Sequence, residues 1–201
     1  MHRFIWIFWV GSLMMAMTCY SQDWNLEKDR NGVKVYTRKV SNSIFKEYRA
    51  SVEVKTTFKK VIEMLYETKS REIWLYNTPV IEEVLKTDST LCIYNRVDAP
   101  WPVSDRDNIT CFYSIISRAD YAKIGMRLMK SHPSFPEDDD VVRIQQLEGF
   151  WEITDLKNGY IRLVQQCLAD PGGSLPAWLV NSSVVDSPFF SMNAIKNYLE
   201  K

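Results

Sequence analysis

The sequence predicts an α+β fold in which one long antiparallel sheet curves around a C-terminal helix and leaves a space that either side chains or a ligand would fill. From residue 79 onward, strand patterns joined by short polar turns continue for about ninety residues, as in successive antiparallel pairs. The last segment, from Trp178 to Leu199, has apolar residues at helical spacing. Because the sheet and the helix each have one apolar face to bury, the sheet is expected to curl around the helix.

The first residues have the pattern of an export signal. Arg3 supplies a positive charge, residues 4–17 are nearly all apolar, and small residues precede a cleavage position. This stretch is too short to span a membrane comfortably. We therefore expect residues 1–21 to be a signal peptide, residues 22–201 to form one domain, and the mature chain to be periplasmic or extracellular. Lipid attachment at Cys19 after cleavage is the alternative interpretation.

Strands and two short helices are predicted in the first half of the mature chain. Asn31 and Gly32 form a turn signal after the opening segment. Thr56 or Thr57 is the expected N-cap of a first helix, and Ser70 that of a second. The predicted strands lie at residues 33–38 and 45–54.

The second half is predicted to be almost entirely strand until its final helix. Gly172 and Gly173 stand between two prolines and end the last strand. Pro188 is expected to kink or split the helix that follows. The predicted strands lie at residues 80–86, 90–97, 108–117, 124–130, 142–153 and 160–168.

The run Pro-Trp-Pro-Val-Ser-Asp-Arg-Asp at residues 100–107 is the most distinctive stretch of the chain. Prolines on both sides of Trp101 fix the backbone φ angle, and a charge triplet follows directly. We expect a stiff loop that places Trp101 at the cavity mouth, facing the C-terminal helix or an incoming ligand. Arg106 is expected to donate hydrogen bonds to the carboxylates of Asp105 and Asp107. A plain rigid connector between two strands is the alternative interpretation.

Composition and charge limit the range of partners. The 201 residues have a formal net charge of +0 and no basic stripe, so nucleic acid and anionic membrane surfaces are poor candidate partners. Aromatic residues make up 13% of the chain, including seven tryptophans. So many aromatic side chains either fill the core or line a pocket for an apolar ligand.

Strand and helix periodicity indicates which residues would line the cavity. Gln165 shares a predicted strand face with apolar residues, and a buried amide there needs a partner, which a ligand, a backbone group or a water would supply. The face of the C-terminal helix that begins at Trp178 is expected to cover the cavity. The candidate ligand contacts are Trp101, Arg106, Phe112, Met126, Gln165, Trp178, Asn181 and Val185.

Catalytic and metal-binding patterns are scarce, so we expect no metal and no cofactor. His132 lies in a predicted loop without a nucleophile beside it, and no zinc-type spacing of cysteine or histidine occurs. Cys92, Cys111 and Cys167 follow the predicted signal peptide, an odd number that leaves at least one thiol unpaired in a monomer. Whether Cys92 and Cys111 face each other on adjacent strands is left open by the sequence.

Two runs of sequence, PWPVSDRD at residues 100–107 and DPGGSLPAWLVN at residues 170–181, carry a resemblance to a known family. With the opening run at residues 24–38, they resemble the START domain, the steroidogenic-acute-regulatory-protein-related lipid-transfer family. The resemblance covers nearly all of residues 22–201. It implies the helix-grip fold, with a hydrophobic tunnel closed by the C-terminal helix, and reversible binding of a lipid or other apolar molecule.

The resemblance predicts a monomeric, non-enzymatic protein that binds or shuttles lipid, and it leaves transient membrane contact open. Arg106, Gln165 and Asn181 are the polar groups expected to give specificity. Steroid-binding members tend to carry a buried acid–base pair, and the corresponding strands here carry none, so a sterol ligand is not implied. Two other hypotheses are a cyclase- or hydrolase-like enzyme of the same superfamily, which needs an acid or base in the tunnel, and an interaction module with a filled core.

Overall fold

The chain forms three helices and ten strands in the part that the structure describes. The computed structural model describes residues 23–175 and 177–201, except for the side chains of residues 177–179, 182 and 183. The predicted signal peptide, residues 1–21, lies outside the described residues. In chain order the elements are β1 (Asn25–Arg30), β2 (Val33–Lys39), β3 (Lys46–Lys55), α1 (Phe58–Tyr66), α2 (Arg71–Trp74), β4 (Val80–Lys86), β5 (Thr90–Val97), β6 (Arg106–Ser117), β7 (Tyr121–Leu128), β8 (Val142–Arg143), β9 (Gln146–Asp155), β10 (Tyr160–Asp170) and α3 (Ala177–Leu199).

The strands form a single sheet in the order β1-β2-β3-β10-β9-β7-β6-β5-β4. Neighbours along this path pair antiparallel, as the short polar turns predict. The two-residue strand β8 pairs in parallel with the start of β6. The predicted architecture, an α+β fold with a curved antiparallel sheet and a C-terminal helix, is confirmed.

The first hairpin forms at the predicted turn. Asn31 has a φ of 58° and Gly32 a φ of 79°, and this left-handed pair matches the twist of a two-residue hairpin between β1 and β2. The ammonium of Lys196 in α3 donates to the carbonyl of Asn31 at 3.1 Å. The turn therefore also anchors the end of the C-terminal helix.

Alternate residues of the strands point to one face of the sheet and form the main hydrophobic core. On β3, Ala50, Val52 and Val54 are buried on this face, and the aromatic ring of Tyr48 packs against this core. We call this the concave face, because α1, α2 and α3 cover it. The largest fully buried side chains on this face include Trp151, Leu91, Ile93, Ile153 and Leu163.

Helix α3 lies along β2 and β3 and continues through Pro188. Of the two predicted effects of Pro188, the split is therefore wrong, and the kink stays a prediction. A proline removes one helical hydrogen bond, but Val185 before it packs against the core, and Phe189 and Met192 after it are buried there. Burial of this stripe stabilises the helix more than its own propensity does, because tertiary packing supplies most helical stability in proteins.

The predicted strand at residues 142–153 is two strands. Val142 donates its backbone N–H to the carbonyl of Asp105, and Ile144 donates to that of Asp107, each at 2.9 Å. From Gln146 onward the chain pairs instead with β7 and β10. The exchange of partners breaks the strand, and periodicity within the segment cannot show it.

Two local predictions concern helix caps. Thr57 caps α1 by accepting from the backbone N–H of Lys60 at 3.3 Å, as predicted. Ser70 precedes α2 but makes no capping bond, so that prediction is wrong. Its hydroxyl donates to the carbonyls of Met64 and Glu67, at 2.5 and 2.8 Å, and so attaches α2 to the end of α1.

A disulfide joins two neighbouring strands. Cys92 of β5 lies directly opposite Cys111 of β6, and the two are bonded. Both are buried on the convex face, in a second apolar cluster that includes Ile109. Cys167 is a free cysteine buried on the concave face, where desolvation raises the pKa of its thiol to about 12.

Candidate ligand-binding site

The interior beneath the helices contains a buried arginine. Arg71 opens α2 and is fully buried. One of its N–H groups, at Nη2, donates to the carbonyl of Leu65 at 2.6 Å. The guanidinium lies 4.0 Å from the ring centroid of Phe112 and 5.2 Å from that of Trp74. Its burial, partly offset by Tyr66, lowers the pKa of Arg71 to about 9, so the group remains a cation at neutral pH.

Several buried N–H groups around Arg71 lack a hydrogen-bond acceptor among the described residues. They are Nε and Nη1 of Arg71 and the indole nitrogens of Trp74 and Trp151. The two indoles meet edge to face with ring centroids 5.8 Å apart, so these donors form one cluster. Native proteins pair most buried donors, and an unpaired buried cation is costly. The cluster is therefore complementary to an anionic, acceptor-rich ligand.

A second polar group occupies the concave face of β5 and β6. Asn95 Nδ2 donates to Oδ1 of Asn108 at 3.3 Å, and the hydroxyl of Thr110 donates to the same oxygen at 2.6 Å. All three residues are buried. The Oδ1 atom of Asn95 is buried without a donor among the described residues.

Arg106 is not held by the carboxylates beside it, which corrects the prediction. Asp105 accepts from Arg96 at 2.9 Å, and Asp107 accepts two hydrogen bonds from Arg143 at 2.6 and 2.8 Å. Arg106 donates instead to the carbonyl of Ser104. Its Nε is buried and has no hydrogen-bond acceptor among the described residues. Desolvation lowers the pKa of Arg106, and Asp105 opposes that shift. Strand alternation explains the error, because Asp107 points to the convex face while Arg106 points inward.

The loop before β6 lies where α3 begins. Arg106, the first residue of β6, has Nη2 3.8 Å from the position that a Cβ on Gly173 would occupy. Gly172 has a φ of 69°, and a Cβ there would lie 2.9 Å from the carbonyl oxygen of Arg143. The segment that leads into α3 is thus pressed against β8, and this requires glycine.

Trp101 lies at the tip of this loop and is 92% exposed. The loop is closed by a hydrogen bond from Val103 N to Pro100 O at 3.0 Å, and the Trp101–Pro102 peptide bond is cis. The backbone N–H of Ala99 donates to Asp105, and this bond, with Arg96, lowers the pKa of the Asp105 carboxyl. The loop is therefore held at its base while its indole reaches solvent. Contact between Trp101 and a ligand stays a prediction.

Three predicted contacts lie together on the concave face. Phe112 and Met126 are buried core residues on β6 and β7, and they are paired in register. Gln165 of β10 is half-buried, and its amide donates to the sulfur of Met126 at 3.9 Å. All three belong to the interior surface, as strand alternation predicts.

The three predicted contacts on α3 have different environments. Val185 packs against the main core. Asn181 accepts from the backbone N–H of Lys46 at 2.8 Å, which ties the start of α3 to the start of β3. The side chain of Trp178 lies outside the described residues. Ligand contact by these residues stays a prediction.

An open cleft of about 420 Å³ enters the other end of the interior. It lies between α1 and the far ends of β6 and β7, beside the β4–β5 turn. Its walls include the core residues Ala122 and Ile124 and the aromatic Tyr66. The concave face is thus approached at this cleft, and a cavity mouth at the loop of Trp101 stays a prediction.

Sequence reasoning missed Arg71, Trp74, Trp151, Asn95 and Asn108. For Asn95 a signal was available, since it follows Leu91 and Ile93 at two-residue steps on an inward face. The role of Arg71 had no such signal. A four-residue helix is too short for its periodicity to show which face is buried.

The described residues contain no cluster of histidine, cysteine, aspartate or glutamate that could hold a metal ion. Among these same residues, no helix is long and apolar enough to cross a membrane. The arrangement is that of a protein whose sheet encloses an interior site beneath a C-terminal helix. The chain belongs to the START domain family, whose sequence profile matches residues 12–199 and whose members bind lipids or other hydrophobic ligands.

Relatives in bacteria and mammals cover most of the chain. An uncharacterised protein of Pseudomonas aeruginosa is 30% identical over 93% of this chain and 92% of its own. The phosphatidylcholine transfer protein of mouse is 26% identical over 89% of this chain and 81% of its own. The crystal structure of a STAR-related lipid transfer protein fragment from Xanthomonas axonopodis superposes with a TM-score of 0.80 at 30% identity, covering 89% of this chain and 99% of that one.

Proposed function

We propose that this protein binds a phospholipid in its interior and transfers it, without catalysis. The observation that carries the proposal is the fully buried guanidinium of Arg71. Its Nε and Nη1 nitrogens have no hydrogen-bond acceptor among the described residues. Its surroundings are the aromatic rings of Phe112 and Trp74. Membership in the START family and the names of the lipid-transfer relatives support a lipid as the ligand class.

A phosphate group satisfies the chemistry of this site. Guanidinium N–H groups form a planar fork that pairs with two phosphate oxygens, and such charge-assisted bonds are roughly twice as strong as neutral ones. The indole N–H groups of Trp74 and Trp151 add two more unpaired donors nearby. A phosphodiester offers a negative charge and several acceptor oxygens, whereas a hydrocarbon offers no acceptor and a sterol only one uncharged hydroxyl.

The apolar part of the interior suits the acyl chains of such a ligand. The concave face around Gln165 is built from Met126, Leu163 and Cys167, and Val185 packs on it from α3. Burial of each methylene group contributes about 0.8 kcal/mol. The chains would supply most of the affinity, and the polar groups would select the headgroup.

The alternative of an enzyme has less support. Asp107 is the only buried carboxylate among the described residues, and it lies on the convex face in its pair with Arg143. His132 lies in the loop after β7, where its ring contacts Phe135. A general acid or base has to reach the ligand, and neither group faces the interior. Reversible binding is the function that these positions favour.

We also propose that the chain acts after export, with residues 1–21 removed. The charged and apolar pattern of that segment supports this proposal. The Cys92–Cys111 disulfide is a second supporting observation, since such bonds persist mainly in oxidising compartments. Lipid attachment at Cys19 remains the alternative form of export.

The test of phospholipid binding uses the protein purified natively and incubated with phospholipid vesicles. Organic extracts of the recovered protein are analysed by mass spectrometry for phosphorus-containing lipid. We expect wild-type protein to retain phospholipid and Arg71→Met to retain at least about tenfold less, because the phosphate loses its cation. Arg162→Met is the matched control, since Arg162 is half-exposed and pairs with Glu53.

Stability measurements separate binding from folding in this test. Without ligand, Arg71→Met is expected to melt no lower than wild type, since it removes a desolvated charge. A wild-type protein that takes up no phospholipid would overturn the proposal. So would an Arg71→Met protein that retains as much phospholipid as wild type.

A further inference from the structure

We propose that Asn95, Asn108 and Thr110 form a headgroup subsite that selects an uncharged, hydroxylated phospholipid headgroup, such as glycerol or inositol, over a cationic one. This inference rests on the proposed phospholipid binding at Arg71. We call Asn95 and Asn108 the amide pair. It is a site separate from Arg71, built on β5 and β6 at the end of the interior near the loop of Trp101.

The two side chains of the amide pair lie next to each other on the concave face. Asn95 and Asn108 are directly opposite in the register of β5 and β6. Along β5, Leu91 and Ile93 precede Asn95 at two-residue steps and belong to the main core, which fixes the inward direction of the amide. Two amides side by side in such a core are costly unless their hydrogen bonds are satisfied.

The hydrogen bonds within the group leave one acceptor free among the described residues. Oδ1 of Asn108 accepts two hydrogen bonds, from Nδ2 of Asn95 at 3.3 Å and from the hydroxyl of Thr110 at 2.6 Å. Oδ1 of Asn95 is buried and has no donor. The residues have exposed fractions between 4 and 7%, so bulk water does not satisfy that oxygen. The subsite therefore requires a ligand group that donates a hydrogen bond.

The spacing along β6 connects the subsite to the phosphate position. The ring of Phe112 lies 4.0 Å from the centre of the Arg71 guanidinium. Thr110 and Asn108 precede Phe112 by two and four residues on the same face, which places them about 7 and 13 Å away along the strand. A headgroup that extends from a phosphate at Arg71 toward the loop of Trp101 passes Thr110 and approaches the amide pair.

The positive charge of Arg106 determines which hydrogen-bonding headgroup fits the subsite. Arg106 precedes Asn108 by two residues on the concave face and is buried, and its neighbouring carboxylates are paired with Arg96 and Arg143. No buried carboxylate faces the interior among the described residues. A cationic headgroup would meet this uncompensated positive charge, whereas a hydroxyl donates to Asn95 without repulsion.

The surroundings also lack the features that recognise a quaternary ammonium. Such groups have no N–H to donate and are bound by cages of aromatic rings. The nearest concave-face neighbours of the amide pair along its two strands are Ile93, Val97, Arg106 and Thr110. None of these is aromatic, so β5 and β6 offer a choline group neither an aromatic cage nor a hydrogen bond beside the amide pair.

The experiment compares headgroups on identical acyl chains. Vesicles containing equal amounts of phosphatidylglycerol, phosphatidylcholine, phosphatidylethanolamine and phosphatidic acid are offered to the full chain, and the bound lipids are quantified by mass spectrometry. We expect wild type to enrich phosphatidylglycerol about tenfold over the choline and ethanolamine lipids. In Asn95→Leu that enrichment should disappear, while retention of phosphatidic acid, which has no headgroup alcohol, is unchanged.

Two further variants complete the test. Thr110→Val removes the hydroxyl with little change of shape and should lower the phosphatidylglycerol enrichment in the same direction, so the test does not depend on Asn95→Leu folding. Asn197→Leu, an exposed change on α3, should leave it unchanged. If wild type binds all four lipids equally, the inference is wrong and the phosphate site stands. If it binds none of them, the proposed function itself is wrong.

Discussion

Three arginines and two aspartates meet at the start of β6, and each arginine has a different environment. Arg143 makes a buried two-bond pair with Asp107, and Arg96 pairs with Asp105 at the surface. Arg106 has no carboxylate partner and faces inward. Of these two ion pairs, only Arg143–Asp107 is buried, so stability depends on it most.

We expect Arg143→Met to lower the free energy of unfolding by about 3–5 kcal/mol, because it leaves the buried carboxylate of Asp107 without its cation. Arg106→Met should change it by less than about 1 kcal/mol, since one hydrogen bond to a carbonyl is lost and one desolvated charge is removed. Urea unfolding of both variants measures the difference. Equal losses in the two variants would show that Arg106 is also paired within the fold.

Helix α3 begins close to Arg106, at the end of the sheet where the loop of Trp101 lies. Asn181 accepts from Lys46 N at the start of α3, and Glu200 accepts from Lys55 N just after its end. The helix is thereby attached to both ends of β3. The loop, in contrast, is fixed at its base and exposed at its tip, so its indole contributes little to the fold.

Trp101→Ala is expected to leave the free energy of unfolding within about 0.5 kcal/mol of wild type, as exposed positions usually do. The rate of phospholipid release should rise, because the indole at the predicted cavity mouth is lost. Tyr160→Ala is the matched control, an exposed aromatic residue at the opposite end of the sheet. A release rate that rises equally in both variants, or in neither, would contradict a specific role for Trp101.

The whole molecule has two apolar layers, one on each face of the sheet. The larger one, on the concave face, contains the proposed site, and the smaller one surrounds the Cys92–Cys111 disulfide on the convex face. There the rings of Tyr94 and Phe135 stack with centroids 4.5 Å apart. The convex layer thus attaches the segment after β7 to the sheet. The proposed ligand lies on the concave side.

For protein taken from its native host, we expect an intact mass that begins at Gln22 and includes one disulfide. Unfolded without reductant, this chain should expose one alkylatable thiol, that of Cys167, and three after reduction. In the folded protein Cys167 should not react, because burial raises the pKa of its thiol to about 12. An intact Met1 would overturn the export proposal, and three thiols before reduction would overturn the disulfide.

The sequence by itself determined the class of fold and most of its elements. Alternation with a period of two follows from the pleat of the strand backbone, so the order of residues along β3 is enough to identify those that point inward. The Thr57 cap and the Asn31-Gly32 turn depend on residues a few positions apart, which local sequence shows directly. The motifs that resemble START domains also lie within short continuous runs.

Only the tertiary structure decided which polar groups meet in the interior. Asp107 and Arg143 are 36 residues apart, and nothing local indicates that Asp107 prefers Arg143 to the adjacent Arg106. The burial of Arg71 depends on how α2 packs beneath α3, and the pairing of Asn95 with Asn108 depends on the register of two strands. Partner choice of this kind is set by the long-range geometry of the sheet, whereas periodicity is set by the local backbone.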